Sequence, residues 1–358
     1  MRHPHRLATL VGSLVIAVGA AACMDDEPAT VSMTAEAWPE ADKLFHQDPR
    51  WLGSDGAYSV PLDDGRILWL FGDTLVATSP ANVRSESAFL RNTVGIQRGT
   101  DPTNAAMRFY WRRTRDEPSS YFPENGDRWF WPKHGVQLDR TLVIFLSRIK
   151  LKPEGDPGFN FEGDGWRAAI VDDASETPAA WRVRIVTPIH ALPGIVPGEA
   201  VNVIGGHVVS LAVGDGFGGY LVRWRVEDLA AGRLEESEWW AGRQGWVGAS
   251  ELDGPPERII DKVGPEASLH FEAELDRWVL VWTEGFGAAT IIVSFASRIE
   301  GPWSEPMEVY RPPEGDRPGN LIYAGKAHPE LDGADLPVTY VASEDHYPRF
   351  VKLTFLSS

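Results

Sequence analysis

The sequence is almost without cysteine, since its 358 residues include a single one, Cys23. Intrachain disulfides therefore play no part in stabilising the fold. Positive charge is also scarce, with 34 Lys and Arg against 51 Asp and Glu and a formal net charge of −17. This balance argues against nucleic acid as a partner, because phosphates require a basic surface. It argues equally against an electrostatic attachment to anionic lipid.

Sequence motifs of several familiar chemistries are missing as well. The chain contains no HExxH, no CxxC, no Walker loop and no GxSxG. Their absence argues against the common zinc-peptidase, dithiol-redox, P-loop and nucleophile-elbow classes. The run GDGFGG at 214–219 does not open a helix in a βαβ unit, so we interpret it as a turn rather than a dinucleotide loop. No cofactor is predicted.

A long apolar run occurs at the N-terminus. Two arginines precede the apolar segment 7–18, and the small residues 19–22 lead directly to Cys23. The pattern resembles a bacterial lipoprotein signal peptide, in which cleavage precedes the cysteine and the thiol becomes lipidated. An ordinary signal peptide cleaved nearby, with Cys23 incidental, is the alternative. We therefore expect an exported protein of the bacterial cell envelope, anchored to the membrane through the lipid on Cys23 only.

The composition then divides the chain into three parts. Residues 1–23 form the predicted signal peptide with its lipidated cysteine. Residues 24–40 are acidic, small and proline-containing, as is typical of a flexible linker. Residues 41–358 remain for a single large domain, expected to be monomeric.

The remaining sequence has no long amphipathic helical pattern and reads as strands and turns. Short runs rich in Val, Ile, Trp, Tyr and Phe alternate with Gly, Pro, Asp and Asn. A unit of polar residue, strand, tight turn and very apolar strand recurs five times. The copies begin at Asp55, His134, Asn202, Glu266 and His328. Repeated four-stranded antiparallel units of this kind predict an all-β fold, a five-bladed β-propeller. A two-sheet sandwich is the alternative, but it does not explain why each copy begins with a polar residue.

In the predicted propeller the first strand of each blade lines the central axis. The polar residues that begin the five copies are therefore expected to lie close together. In the segment 54–74, a turn at Asp64-Gly65 sets Asp55 opposite Asp73. Directly opposed carboxylates destabilise a strand pair, but in a partly dry site they separate the pKa of an acid from that of a base. The alternative is that these aspartates cap turns.

The fourth unit repeats this arrangement of carboxylates. A turn near residues 274–276 would place Glu266 opposite Glu284. A register error of one residue would turn either side chain to the other face of the sheet. Asp55, Asp73, Glu266 and Glu284 are therefore the candidate catalytic residues.

Further residues are candidates for binding substrate. Arg91 and Asn92 would clamp a substrate hydroxyl or pair with a carboxylate. His134 and His328 would line the site, bind a metal such as calcium on the axis, or simply pack. The tryptophans Trp51, Trp131 and Trp166 would stack on sugar rings or pack between blades; the chain has 15 Trp in all.

Four stretches together resemble a known group of bacterial propellers. They are DGAYSVPLDDGRILWLFGDT (55–74), WPKHG (131–135), RIEGPWSEP (298–306) and YAGKAHPEL (323–331). The group comprises the domain-of-unknown-function families 4185 and 5005 and has a branch of endo-D-arabinan-degrading glycoside hydrolases. The resemblance implies a five-bladed propeller in which Asp55 matches the first-blade acid, the usual position of a base or nucleophile. Relatives tend to carry an acid in the WPxxG turn, where this chain has His134.

The expected function is therefore hydrolysis of an arabinan-like or other extracellular polysaccharide by two carboxyl groups that flank the glycosidic bond. We interpret Asp73 as a group that tunes Asp55, with the acid supplied by Glu266 or Glu284 across the channel. A non-catalytic propeller that binds a glycan or a protein partner at the cell surface is the alternative.

Overall fold

The computed structural model describes residues 31–123, 125–152, 160–264, 266–284 and 289–356. The predicted signal peptide, Cys23 and the first part of the predicted linker lie outside these described residues. Among the described residues, no helix is long and apolar enough to cross a membrane.

Antiparallel strands provide most of the regular structure. In chain order they are β1 (Ser32–Ala37), β2 (Trp51–Ser54), β3 (Tyr58–Pro61), β4 (Arg66–Phe71), β5 (Thr74–Ala77), β6 (Ser87–Leu90), β7 (Thr93–Arg98), β8 (Ala106–Tyr110), β9 (Arg112–Thr114), β10 (Glu117–Ser119), β11 (Arg128–Leu138), β12 (Thr141–Leu151), β13 (Phe161–Val171), β14 (Val183–Val186), β15 (Ile195–Ile204), β16 (His207–Gly214), β17 (Gly219–Arg225), β18 (Glu238–Trp240), β19 (Trp246–Gly248), β20 (Ser268–Glu272), β21 (Arg277–Thr283), β22 (Ile291–Ala296), β23 (Met307–Tyr310), β24 (Ile322–Ala327), β25 (Leu336–Ala342) and β26 (Pro348–Leu356). The all-β prediction is confirmed.

Helices are short and lie between strands. The α-helices are α1 (Pro39–Asp42) and α2 (Val226–Ala231). Short 3₁₀ helices occupy Lys43–His46, Arg84–Glu86, Asp215–Phe217, Gly242–Gln244, Ala249–Glu251 and Pro313–Asp316. The segment GDGFGG ends β16, forms a 3₁₀ turn and starts β17, so it is a connection between strands as expected.

The strands of the described residues group into five sheets of four or five strands. Their orders are β3-β4-β7-β8, β11-β12-β13-β14, β15-β16-β17-β18-β19, β20-β21-β22-β23 and β1-β26-β25-β24. Two smaller sheets, β2-β5-β6 and β9-β10, accompany the first of them. In these orders each sheet has two free edges and does not close on itself.

The inner strands, which we define as β3, β11, β15, β20 and β24, lie beside one another in chain order. Contacts join β3 to β11, β11 to β15, β15 to β20 and β20 to β24. The last inner strand returns to the first through hydrogen bonds, in which Lys326 Nζ donates to Gly56 O and His328 Nδ1 lies against Ser59 Oγ. The inner strands therefore surround a common centre.

The N-terminal boundary of the folded region differs from the prediction. Strand β1, within the predicted linker, pairs with β26 over six residues from Ser32↔Leu356 to Ala37↔Val351. The chain thus enters the last sheet as its outermost strand, and the compact unit spans Ser32–Ser358 rather than beginning at residue 41. The sequence does not predict this strand, since the segment is small and acidic and lacks the apolar alternation of a buried strand. Hydrogen bonds to β26 hold the strand in place, not burial of its own side chains.

The hydrophobic core lies between neighbouring sheets. One cluster packs Leu68 and Leu70 of the first sheet against Leu142 and Ile144 of the second. A second packs Phe145 against Trp224, and a third joins the third and fourth sheets. Many of the tryptophans are used here, which favours packing rather than sugar stacking as the main reason for their number.

Candidate functional site

The hairpin of β3 and β4 has the register expected from the sequence. Tyr58 pairs with Leu70 and Pro61 with Ile67. Beyond the paired residues, the Asp55 N–H donates to Asp73 O at 3.3 Å and the Gly72 N–H donates to Asp55 O at 2.9 Å. Asp55 and Asp73 are therefore held opposite each other. A Cβ on Gly72 would lie 2.3 Å from Asp55 Oδ1, so only glycine leaves room for this carboxylate.

Asp55 lies in a polar but crowded environment. The Tyr323 hydroxyl donates to its Oδ2 at 3.1 Å, and His346 Nε2 lies 3.9 Å from the same oxygen. Burial and the nearby charge of Glu266 raise the pKa of Asp55 to about 7, against the opposing effect of the Tyr323 hydrogen bond. A carboxyl with this pKa exchanges its proton near neutral pH, as acid–base catalysis requires.

Asp73 is bound by the two substrate-binding candidates nearest to it. Trp131 Nε1 donates to its Oδ1 at 2.8 Å, and Arg91 Nη1 lies 3.3 Å from its Oδ2. Burial and the charge of Asp55 raise the pKa of Asp73 to about 7. The structure therefore brings Asp73, Arg91 and Trp131 together beside Asp55.

Glu266 reaches the same centre from the fourth sheet. Its backbone φ of 65° is left-handed, and its N–H donates to Glu199 Oε2 at 3.0 Å. Burial raises the pKa of Glu266, while the cationic Lys326 and Lys133 oppose the rise. The charge of Glu266 acts on Asp55, so carboxylates far apart in the sequence interact here.

The predicted pairing of Glu266 with Glu284 is wrong. Strand β20 pairs with β21 as Ser268↔Val281 and Glu272↔Arg277, one residue away from the expected register. Glu284 is exposed, and its N–H donates to Thr290 O at 3.2 Å. The structure does not bring its carboxylate to the centre.

Glu199 is a buried acid that the sequence analysis missed. It is 3% exposed and accepts a hydrogen bond from the Tyr58 hydroxyl at 2.7 Å. Lys133 Nζ pairs with its other oxygen. The preceding Gly198 has φ +105°, and a Cβ there would lie 2.4 Å from Phe145 Cβ. We name Asp55, Asp73, Glu199 and Glu266 the acid cluster.

A buried lysine balances the charge of the acid cluster. Lys326 is 1% exposed and donates to Ala324 O at 3.0 Å and to Gly56 O. Its ammonium lies 4.6 Å from the ring centre of Tyr58. Burial lowers the pKa of Lys326 to about 8, while the charges of Glu266 and Glu199 oppose this shift.

Bulges in the inner strands explain which side chains reach the centre. The ladder is irregular between Pro132 and Gly135, between Pro197 and Ala200, and between Tyr323 and Lys326. A bulge turns one residue out of the regular alternation and re-aims its side chain. Lys133, Glu199 and the residues beside Lys326 lie in these bulges.

Four of the ten non-glycine residues with a left-handed φ in the described part of the chain lie at the same place. Left-handed φ angles occur at Ala57 (56°), Glu266 (65°), Ala324 (60°) and His346 (57°). Such conformations cost free energy outside glycine and tend to mark functional sites.

Three substrate-binding candidates are structural residues instead. Trp51 is fully buried and stacks on Phe109 with a centroid distance of 4.3 Å, so it offers no surface to a sugar. Asn92 is fully buried and donates to Phe130 O at 2.9 Å while accepting from the Phe122 N–H at 2.6 Å. His328 is fully buried between Ser59 and Thr339, and both of its ring nitrogens are hydrogen-bonded.

The remaining predicted residues are hydrogen-bonded or packed between neighbouring strands and sheets. His134 accepts from the Val201 N–H at 2.9 Å and lies 2.8 Å from Ser59 O, and burial lowers its pKa to about 4. Trp166 packs in the core between sheets. Asn202 donates to Leu269 O at 2.9 Å.

A cavity of about 310 Å³ lies among the inner strands, with Glu199 and Lys326 among its lining residues. It is also lined by His134, Asn202 and His270. Within the part of the chain that the structure describes, no group of three His, Cys, Asp or Glu side chains could hold a metal ion. The axial calcium considered above therefore stays a prediction without an identified ligand set among the described residues, and no step is assigned to a metal.

Removal of the buried ammonium gives a first test of the acid cluster. We expect Lys326→Met to lower the free energy of unfolding by about 3–5 kcal/mol at pH 7, because it leaves buried carboxylates without their cation. The loss should be smaller at pH 5, where the raised pKa of Asp55 keeps that carboxyl protonated. Urea unfolding at both pH values measures this loss in the free energy of unfolding.

The control is Lys262→Met, at an exposed lysine, which should change the free energy of unfolding by at most about 0.5 kcal/mol. Equal losses for the two variants would contradict the described role.

Comparisons with known proteins support the fold and one of the family resemblances. A family model described as "Domain of unknown function (DUF5005)" matches residues 40–180. This is one of the two families that the sequence motifs resemble, and the match includes the hairpin of Asp55 and Asp73. No curated protein sequence matches the chain significantly.

Solved structures share the fold at low sequence identity. A candidate hydrolase from Bacteroides ovatus is 15% identical with a TM-score of 0.67, covering 90% of this chain and 93% of that chain. A protein of unknown function from Dyadobacter fermentans is 10% identical with a TM-score of 0.53, covering 91% and 99%. CoXyl43, a GH43 β-xylosidase/α-arabinofuranosidase from a compost metagenome solved with xylotriose, is 12% identical with a TM-score of 0.50, covering 92% and 96%. The fold of this chain is therefore similar to that of glycoside hydrolases.

Proposed function

We propose that this protein is a five-bladed β-propeller glycoside hydrolase that cleaves an extracellular polysaccharide with two carboxyl groups. One observation carries the proposal: Asp55 and Glu266, 211 positions apart in the sequence, belong to one acid cluster at the common centre of the inner strands. The Glu266 N–H donates to Glu199 Oε2 at 3.0 Å, and Lys326, whose charge acts on both Asp55 and Glu266, donates to Gly56 O next to Asp55. Burial raises the pKa of both carboxyls. Glycoside hydrolysis requires such a pair, with one carboxyl protonated and the other ionised.

The two carboxyls take different roles because their surroundings differ. Asp55 accepts the Tyr323 hydrogen bond, which favours its ionised form, so it acts as the base or nucleophile. Glu266 has a left-handed backbone conformation, and burial raises the pKa of its carboxyl. It therefore supplies the proton to the leaving oxygen. The charge of Glu266 contributes to the raised pKa of Asp55, so the two carboxyls do not titrate independently.

The neighbouring groups tune this pair. Lys326 and Lys133 oppose the pKa rise of Glu266, and Lys133 also neutralises Glu199. Asp73, bound by Arg91 and Trp131, adds a negative charge beside Asp55. Asp73 and Glu199 are therefore positioning residues in this mechanism.

The substrate class follows from the fold and the motifs together. The motif resemblance is to a group with arabinan-degrading members, and the structural neighbour CoXyl43 was solved with the pentose oligomer xylotriose. An arabinan-like polymer is accordingly the substrate we propose, with the protein acting as a monomer.

The place of action follows from the N-terminus. The apolar run and the single Cys23 support export and a lipid anchor in the bacterial cell envelope. Anchoring would keep the enzyme near polymers outside the cell.

A polysaccharide panel tests the proposal directly. The purified protein is incubated with linear arabinan, D-arabinan and xylan, and released reducing ends are measured over time. Release from at least one polymer is the expected result. Its absence from every polymer would overturn the hydrolase proposal.

A non-catalytic glycan-binding propeller is the second candidate. It is favoured by His134, which stands in the WPxxG turn where relatives tend to carry an acid, so this blade supplies no carboxylate at that position. Binding to a polymer of the panel without release of reducing ends would support this candidate instead.

The pH profile provides a finer test through Tyr323. We expect Tyr323→Phe to shift the acidic limb of kcat/KM to higher pH, because the lost hydrogen bond no longer favours ionised Asp55. Turnover below the shifted limb should fall severalfold. Tyr310→Phe, at a partly buried tyrosine outside the acid cluster, is the control and should leave the profile unchanged. An unshifted limb in Tyr323→Phe would contradict the role given to Asp55.

A further inference from the structure

The small sheet β2-β5-β6 presents a solvent-facing surface beside the acid cluster. Leu75 pairs with Phe89, and Arg91 follows the same strand to reach Asp73 across the pair. Because side chains alternate along strands, Asp73 and Leu75 share a face with Arg91 and Phe89. Phe89 is 53% exposed, which is unusual for a phenylalanine next to a charged centre.

Ring contacts extend this surface in both directions from Asp73. The Arg91 guanidinium lies 4.9 Å from the ring centre of Phe89 and 4.1 Å from that of Trp129. Trp129 meets Trp131 at 6.1 Å, and Trp131 meets Phe161 edge-on at 4.8 Å. Trp129 itself is buried, 6% exposed, and supports Arg91 from below. We name Phe89, Arg91, Trp129, Trp131 and Phe161 the aromatic ledge.

The aromatic ledge has the side chains typical of a carbohydrate-binding surface. Aromatic faces cover the apolar C–H face of a sugar ring, while an arginine and a carboxylate at their edge exchange hydrogen bonds with hydroxyls. Arg91 is already paired with Asp73, so the surface carries no unpaired charge of its own for an ionic group. A neutral sugar polymer fits these groups better than an acidic one, because the carboxylates of an acidic polymer would find no unpaired cation among the five ledge residues.

We propose that the aromatic ledge is an extended subsite that binds further sugar residues of a neutral polysaccharide next to the cleaved bond. The inference deepens the proposed function and rests on it for the position of that bond. Since the ledge continues from Trp131, beside Asp73, to the exposed Phe89, it accommodates more than one ring. The protein therefore binds a polymer chain internally in preference to short oligosaccharides.

Binding measurements on an uncleaving background test the ledge. In an Asp55→Asn chain, Phe89→Ala should weaken the Kd for linear arabinan by about threefold to tenfold, the range expected from loss of one aromatic contact. The Kd for arabinotriose should change less than the Kd for the polymer. Phe89→Trp should retain polymer binding, and Phe217→Ala, at a phenylalanine 42% exposed elsewhere, is the control. Titration calorimetry gives each Kd, and thermal unfolding confirms that the variants are folded.

The outcomes separate this inference from the proposed function. Equal losses for polymer and trisaccharide, or no loss in Phe89→Ala while the parent hydrolyses arabinan, would overturn the ledge and leave the hydrolase proposal standing. Polymer binding that depends on Phe89, in a parent that hydrolyses nothing, would support the ledge and overturn the hydrolase. No binding of linear arabinan by the Asp55→Asn chain would overturn the ledge.

Discussion

Replacement of Asp55 by asparagine is expected to lower kcat/KM for polysaccharide hydrolysis by about 10²- to 10⁴-fold. The amide preserves the shape of the side chain beside Gly72 but cannot accept a proton or attack a sugar carbon. Reducing-end release by parent and variant on the active polymer measures the loss. Asp276→Asn, at an exposed aspartate in the turn between β20 and β21, is the matched control and should keep full activity.

Thermal stability distinguishes lost chemistry from lost structure. The pKa of Asp55 is raised to about 7 in the folded protein, above its unfolded value of about 3.9. The folded state therefore holds a proton that the unfolded chain releases, and the contribution of Asp55 to stability falls as pH rises from about 4 to 7. Above pH 7 the Asp55→Asn variant should unfold at the same temperature as the parent or higher. A marked drop in its melting temperature would mean that the carboxylate is structural.

Replacement of Glu266 by glutamine should cause a loss of similar size, but one that depends on the leaving group. On polysaccharide we expect about 10²- to 10⁴-fold lower kcat, because the leaving oxygen no longer receives a proton. On an aryl glycoside with a dinitrophenyl leaving group the loss should be much smaller, since that group leaves without protonation. Asp55→Asn should instead lose activity on both substrates.

Glu284→Gln provides the matched control for this prediction. Glu284 is exposed and outside the acid cluster, although the sequence pattern places it opposite Glu266. Its replacement should leave activity on both substrates unchanged. A loss in Glu284→Gln comparable to that in Glu266→Gln would contradict the assignment of the acid.

The sequence was sufficient to predict the class of fold and one half of the site. The alternation of apolar residues and the recurrence of strand-turn-strand units give the all-β architecture and its repeated sheets. The strong turn around Asp64-Gly65 also fixes the register that sets Asp55 opposite Asp73, because the length of a tight turn determines which residues face each other. These features are local, so a single sequence contains them.

The rest of the acid cluster depends on irregular strands. The bulge after Pro197 aims Glu199 at the centre, although the repeat pattern points to Asn202. In the fourth sheet, a turn that differs by one residue moves Glu284 out of register with Glu266. Regular alternation cannot predict a bulge or a one-residue shift, since each reverses the face of every side chain beyond it. The Pro-Gly-Glu sequence at 197–199 was the available signal.

Packing between sheets explains why three of the predicted substrate-binding residues are structural. Trp51, Asn92 and His328 are polar or aromatic residues near strand ends, which is also where binding residues occur. Their burial arises from contacts with elements far away in the sequence, such as Trp51 with Phe109 and His328 with Ser59. Such contacts become visible only when the sheets are assembled.

A crystal structure of the Glu266→Gln variant with an oligosaccharide of the active polymer tests the central claim most directly. We expect a sugar ring over the centre of the inner strands, with the glycosidic oxygen within about 3.2 Å of the residue at position 266. We also expect the anomeric carbon to face Asp55 and the sugar chain to extend along Trp131. An oligosaccharide bound on the outer face of a sheet, with the residues at positions 55 and 266 both free of it, would contradict the account.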